Sequence, residues 1–327
     1  MRRMAEPSPP WLPALEHALA ARDAAALVGI PKADLHCHGL LSAPLETYEQ
    51  VLGRRLPPPP HPFGDFDRFS LYIVEHLFPA LDRADGVRAL IRGAFERLID
   101  DGVVYAEMSF DLLLPEALGL SAAAFTASLG EEMQRVATRV EVAPEIGLNR
   151  ALPPADVEPL LRDWLATGMF RSIDLYGDER IGDVRQFAPL YDRAAAHGLK
   201  RKAHAGELCG PAAVRETVEI LGVTALQHGV RAAEDPDTAA WLAERGTVLH
   251  LCPTSNYSLG VCASLDRHPA RQLFDCGVAL TVNTDDFTLF GASACDEILN
   301  LARMGFSAPE IAQFIQRGLA ERARPAR

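Results

Sequence analysis

Between residue 31 and the C-terminus, short apolar, β-branched runs alternate with longer amphipathic stretches, a rhythm that reads as repeated βα units around a parallel sheet. The candidate strands are Ala33 to His38, Val103 to Phe110, Val142 to Leu148, Arg171 to Tyr176, Lys200 to His204, Ala225 to His228, Thr247 to Cys252 and Val278 to Thr284. Eight such runs favour a closed α/β TIM barrel, (β/α)8, over an open doubly wound sheet, and no GxGxxG follows the first run to argue for a dinucleotide fold. Helical patterns fill the gaps at Ala122 to Val140, Pro154 to Met169, Phe187 to His197, Ala212 to Leu221, Asp237 to Arg245 and Leu265 to Phe274. Gly198, Gly222, Gly246 and Gly277 stand where helix stops belong.

One connection breaks the rhythm. Residues 39–102 hold the proline run Pro57 to Pro60, the apolar stretch FGDFDRFSLYIVEHLF, and a helical DGVRALIRGAFERLIDDG. Loops that follow barrel strands build the reactive face, so this helical insertion after the first strand is expected to roof a ligand site with Phe63 to Phe78. A stabilising insertion without a ligand role is the other reading. Residues 1–30 read as an alanine-rich helical extension outside a single barrel domain spanning 31–327.

Composition narrows the partners. Asp plus Glu (44) exceeds Lys plus Arg (32), a formal charge of -12, which repels a phosphate backbone and argues against nucleic acid. The basic runs Arg2-Arg3, Lys200-Arg201-Lys202 and Arg322, Arg324, Arg327 read as solvated or helix-terminal charges. Six cysteines without a CxxC pair read as reduced thiols, and no long uncharged apolar run suggests a membrane span. A cytoplasmic protein with a small-molecule partner is expected.

The chemistry lies at the strand ends. His36 and His38 are two apart on the first strand, so both imidazoles point the same way, into the barrel mouth. His204 and His228 end the fifth and sixth strands, and Asp285-Asp286 ends the eighth. Imidazole nitrogens with one carboxylate suit Zn²⁺, and a bound divalent ion lowers the pKa of its water towards about 7. Glu207, three residues past His204 in HAGE, is placed to exchange protons with a substrate atom or simply to start the next helix. His228 is placed to orient the water or accept its proton. The fourth strand region RSIDLYGDE holds no lysine to bridge a metal pair, which favours one ion per chain; His250, inside the seventh strand, reads as structural.

Taken in order, PKADLHCH, IDLYGDE, HAGE, QHGVRAAEDP, CPTSN and VNTDD resemble the adenosine deaminase family over residues 31–300. The resemblance implies that His36, His38, His204 and Asp285 bind zinc, that Glu207 protonates the purine ring nitrogen beside the amino-bearing carbon, and that His228 steers hydroxide. It further implies that Asp286 and the Gly177 backbone hold other ring nitrogens, and that a 6-aminopurine is hydrolysed to its 6-oxo product plus ammonia. One departure stands out: where nucleoside deaminases of this family usually carry an acid or Asn facing the sugar, this chain has Leu40 within Gly39-Leu40-Leu41-Ser42. Two alternatives stay open, a mononuclear-metal barrel hydrolase of an amide, lactone or ester, and a catalytically silent purine-binding protein.

Overall fold

The computed structural model describes residues 8–323. Arg2-Arg3, Arg324 and Arg327 lie outside the described residues. Eight strands form one parallel sheet in sequential order: β1 (Lys32–His38), β2 (Val103–Asp111), β3 (Glu141–Asn149), β4 (Ser172–Tyr176), β5 (Lys200–Ala205), β6 (Ala225–His228), β7 (Val248–Leu251) and β8 (Ala279–Val282). Each lies within two residues of its expected bounds. β1 to β7 are buried along nearly their whole length, as strands covered by helices outside and by side chains inside must be.

The barrel closes through an irregular seam. β8 ends at Val282, and the next residue lends its side chain to the ladder: the Leu35 N–H donates to Asn283 Oδ1 at 2.8 Å. Thr284 is then tied to Asp34, its hydroxyl donating to Oδ2 at 2.6 Å, and the Asp285 N–H donates to the His36 carbonyl at 2.9 Å. A single bridge, Cys37 to Asp285, joins the two edges. Asp285 therefore lies three residues beyond the last strand rather than on it.

Helices Leu12–Ala21 and Ala24–Leu27 precede the barrel, and their Leu15, Ala18 and Leu27 belong to the main apolar core. The insertion after β1 folds as helix Leu45–Leu52, helix Phe66–Tyr72, a π turn Ile73–Leu77, a 3₁₀ turn Phe78–Asp82 and helix Ala84–Asp100. Its aromatic residues form a second apolar cluster, in which Phe63, Phe69 and Tyr72 pack with Leu259 from beyond β7 and Leu289 and Phe290 from beyond β8. That cluster sits over the strand ends, held by the Gly64 N–H donating to the Ser258 carbonyl at 2.8 Å and by the Arg180–Asp67 ion pair.

Two expectations need correction. The helix read as Leu265 to Phe274 is broken into a 3₁₀ turn Leu265–Arg267 and a helix Ala270–Asp275. Pro269 is the cause: its ring disfavours helical backbone in the preceding residue, and His268 is extended at φ -65°, ψ 134°. Nor is Lys200-Arg201-Lys202 a solvated run, because alternation along β5 turns Lys202 into the barrel, where it is 1% exposed.

Candidate active site

His36 and His38 leave β1 on its inner face and meet His204 from β5. His36 Nε2 lies 3.1 Å from His204 Nε2 and 3.4 Å from Asp285 Oδ1, and His38 Nε2 lies 3.3 Å from the same oxygen. Four donors on a tetrahedral zinc at about 2.0–2.2 Å stand about 3.4 Å apart, so the spacing fits one such ion. Asp285 reaches the cluster in a left-handed conformation, φ 60°, and His228 does the same at φ 63°. Both are non-glycine residues held there by the seam and by the turn at Gly229, the kind of backbone strain that clusters at functional positions.

The clustered imidazoles are held from behind. His204 Nδ1 stands 3.0 Å from an Asp174 oxygen, the carboxylate–histidine pairing that orients a metal-binding imidazole. His36 Nδ1 faces the buried Cys252 sulfur at 3.2 Å. Burial, reinforced by neighbouring histidines, holds His36 neutral, its pKa well below the ordinary value. Burial works against charge on His38 too, yet Asp286 and Asp285 raise it to about 10. Asp285 is held down to about 2 against burial by the His38 hydrogen bond and the surrounding imidazoles. Asp285 and Asp286 thus favour positive charge beside His38, which a divalent cation would also supply, while burial keeps His36 and His228 neutral.

Glu207 is 3.5 Å from His228 Nε2, and its Oε1 has no hydrogen-bond partner although it is buried. Burial first, then the charges of Asp285, Glu179 and Asp286, push its carboxyl well above the usual range. Asp286 is pushed up in the same way by burial and by Asp285, and its Oδ1 is likewise unpaired. Gly177 follows β4 in a backbone conformation, φ 102°, that suits glycine. Leu40 wedges between the main core and the aromatic cluster, its carbonyl accepting from the Tyr48 hydroxyl at 3.0 Å. Gly39 before it leaves room for Phe110, whose ring a Cβ there would meet at 2.3 Å.

Sequence reasoning gave no role to Glu179, although it lies within IDLYGDE. Its carboxylate accepts the backbone N–H groups of Gly206, Glu207, Leu208 and Cys209 at 2.8 to 3.2 Å, fixing the loop that carries Glu207. Asp174, Asn256 and His268 were missed as well. A carboxylate inside the apolar run of β4 was a usable signal for Asp174, and Asn256 closes the CPTSN motif, though neither was given a role; no motif held His268.

A barrel mouth with three imidazoles, one carboxylate and an unpaired buried acid beside them defines a metal-dependent hydrolase of the barrel type. More narrowly, the chain belongs to the adenosine deaminase family, whose family model, described as adenosine deaminase, matches residues 61–326. It is 32% identical over 275 residues to a putative adenosine/adenine deaminase of Treponema pallidum, covering 84% of this chain and 92% of that one. It is 33% identical over 301 residues to the adenine deaminase of Sinorhizobium fredii, covering 86% and 90%. The solved adenine deaminase of Arthrobacter aurescens superposes with a TM-score of 0.80 at 26% identity, covering 89% of this chain and 93% of that one. Among the described residues, no helix is long and apolar enough to cross a membrane.

Proposed function

We propose that this chain is a zinc-dependent deaminase that hydrolyses a 6-aminopurine to the 6-oxo purine and ammonia. The observation that carries the reading is the convergence of donor atoms from His36, His38, His204 and Asp285 within 4.8 Å of one another, beside an unpaired Glu207 oxygen. Those four residues would hold one ion, which when bound makes hydroxide available from water near neutral pH. Glu207, protonated in its buried setting, donates to the ring nitrogen next to C6 as oxygen adds at that carbon. Asp286 and the Gly177 backbone orient the ring through its other nitrogens, and His228 stands beside the attacking oxygen. The oxygen of water ends on C6, and the amino group leaves as ammonia.

Leu40 bears on the substrate. A sugar hydroxyl buried against it would forgo a charge-assisted hydrogen bond, about 1.5–3 kcal/mol. Together with the names of the relatives, this ranks the free base adenine ahead of adenosine. The reading also assigns a single catalytic barrel from residue 31 with a helical extension before it, and a cytoplasmic location in keeping with six free thiols.

An ultraviolet and ammonia-release screen of adenine, adenosine, deoxyadenosine and N9-modified analogues with the metal-loaded protein tests this. Stoichiometric ammonia, fastest from adenine, is expected. Silence across every 6-aminopurine contradicts the reading and turns attention to amides, lactones and esters, or, if a purine binds tightly without absorbance change, to a silent binding protein.

A further inference from the structure

The break in the helix at His268-Pro269 places the His268 imidazole in the interior, and a series of five contacts begins there. The Ala270 backbone N–H donates to His268 Nδ1 at 3.1 Å. His268 Nε2 lies 3.1 Å from Asn256 Oδ1, and Asn256 Nδ2 lies 3.1 Å from His228 Nδ1. His228 Nε2 then points into the mouth, 3.5 Å from Glu207 Oε1 and 3.7 Å from Asp285 Oδ2. All three side chains are buried.

A backbone N–H only donates, and this one sets the direction of every bond after it. His268 Nδ1 must accept, so a neutral ring carries its proton on Nε2 and donates onward. The atom of Asn256 that faces it must be the oxygen, which leaves the amide NH₂ facing His228. His228 Nδ1 therefore accepts, and its own proton sits on Nε2. Burial holds His268 down to about 3, which keeps the series neutral through the working range of pH.

We propose that Asn256 and His268 are positioning residues that lock His228 in the Nε2–H form, so that it presents a hydrogen-bond donor, and not a base, to the attacking oxygen. The proposal rests on the deaminase reading for the identity of that oxygen. A fixed donor aimed at developing negative charge needs no reorganisation during the reaction, which is the source of its catalytic worth. The opposite tautomer would turn a lone pair towards the oxygens of Glu207 and Asp285.

The test is nitrogen NMR on the metal-loaded enzyme labelled with ¹⁵N-histidine, which separates proton-bearing from bare ring nitrogens. The His228 signals are assigned by their loss in His228→Gln. In the unaltered enzyme Nε2 is expected to carry the proton and Nδ1 to be bare. Asn256→Asp replaces the donor by an acceptor and is expected to invert that pattern. It should lower kcat about tenfold or more with KM within about twofold and metal content unchanged. A purely structural role for Asn256 would not move the proton from one nitrogen to the other. A proton on Nδ1 in the unaltered enzyme overturns the proposal without recourse to any variant, and so does an inverted Asn256→Asp enzyme that keeps full kcat. Absence of ammonia release would sink the deaminase reading instead, while the proton position would still be read.

Discussion

Glu107 and Glu207 are both buried inside the same barrel, and their carboxyls are driven in opposite directions. Glu107, on β2, accepts from the Tyr105 hydroxyl at 2.9 Å, and Lys200 and Lys202 reach it at 3.0 and 3.1 Å. Burial opposes its charge, but the two ammonium groups overcome that and hold it at about 2. Lys202 in turn uses a second carboxylate, Glu145 at 2.6 Å, and the Leu35 carbonyl at 2.9 Å. That cluster is closed on itself. Glu207, at the mouth, feels the pull of His38, but burial and the charges of Asp285, Glu179 and Asp286 outweigh it, and one of its oxygens stays unpaired. Burial alone therefore decides nothing; the neighbours separate a structural ion cluster from groups left open for a ligand.

The contrast can be broken by exchanging what each carboxylate depends on. The largest effect is expected from Glu207→Gln, which should lose about 10² to 10⁴ in kcat, the usual worth of a positioned acid, with metal content and melting temperature little changed. Near-normal turnover would place Glu207 outside the chemistry. Next comes Lys202→Met, which strands Glu145, leaves Glu107 with Lys200 alone, and should cost about 3–5 kcal/mol in denaturant unfolding. An unaffected midpoint would show that the inner cluster is dispensable. Glu179→Ala lies between the two regions: it frees four backbone donors under Glu207 and should cost about 1–3 kcal/mol while lowering kcat more than it changes KM. A stability loss with kcat intact would confine Glu179 to the fold.

The smallest effect is in the acid limb of stability. Glu107 titrates at about 2 in the folded chain against an ordinary 4.5, so its contribution is complete above 4.5 and is lost as pH falls towards 2. Unfolding followed across that window should show a decline in the unaltered chain, with the limb moved to higher pH in Lys202→Met. Coincident limbs in the two proteins would contradict the pairing.

What the sequence made legible follows from the range of the interactions involved. Strand positions rest on local periodicity, and His36 and His38 share a face because a strand repeats every two residues. Lys202 was misread because its partners, Glu107 and Glu145, come from β2 and β3, far away in the chain, and only the closed barrel brings them together. His268 was hidden for a similar reason. The helix read through Pro269 hid the break there, and that the break delivers an imidazole to Asn256 depends on how the loop beyond β7 folds back. The placement of Asp285 depends on the seam, where the Asn283 side chain accepts the Leu35 N–H in place of a backbone ladder between β8 and β1.

The measurement that bears most directly on the whole account is metal analysis paired with ammonia release, on the unaltered chain and on Asp285→Ala. One divalent ion per chain, with activity that vanishes on chelation, returns on adding Zn²⁺, and is absent from Asp285→Ala, is the expected result. A metal-free preparation that deaminates its purine at an unchanged rate would contradict it.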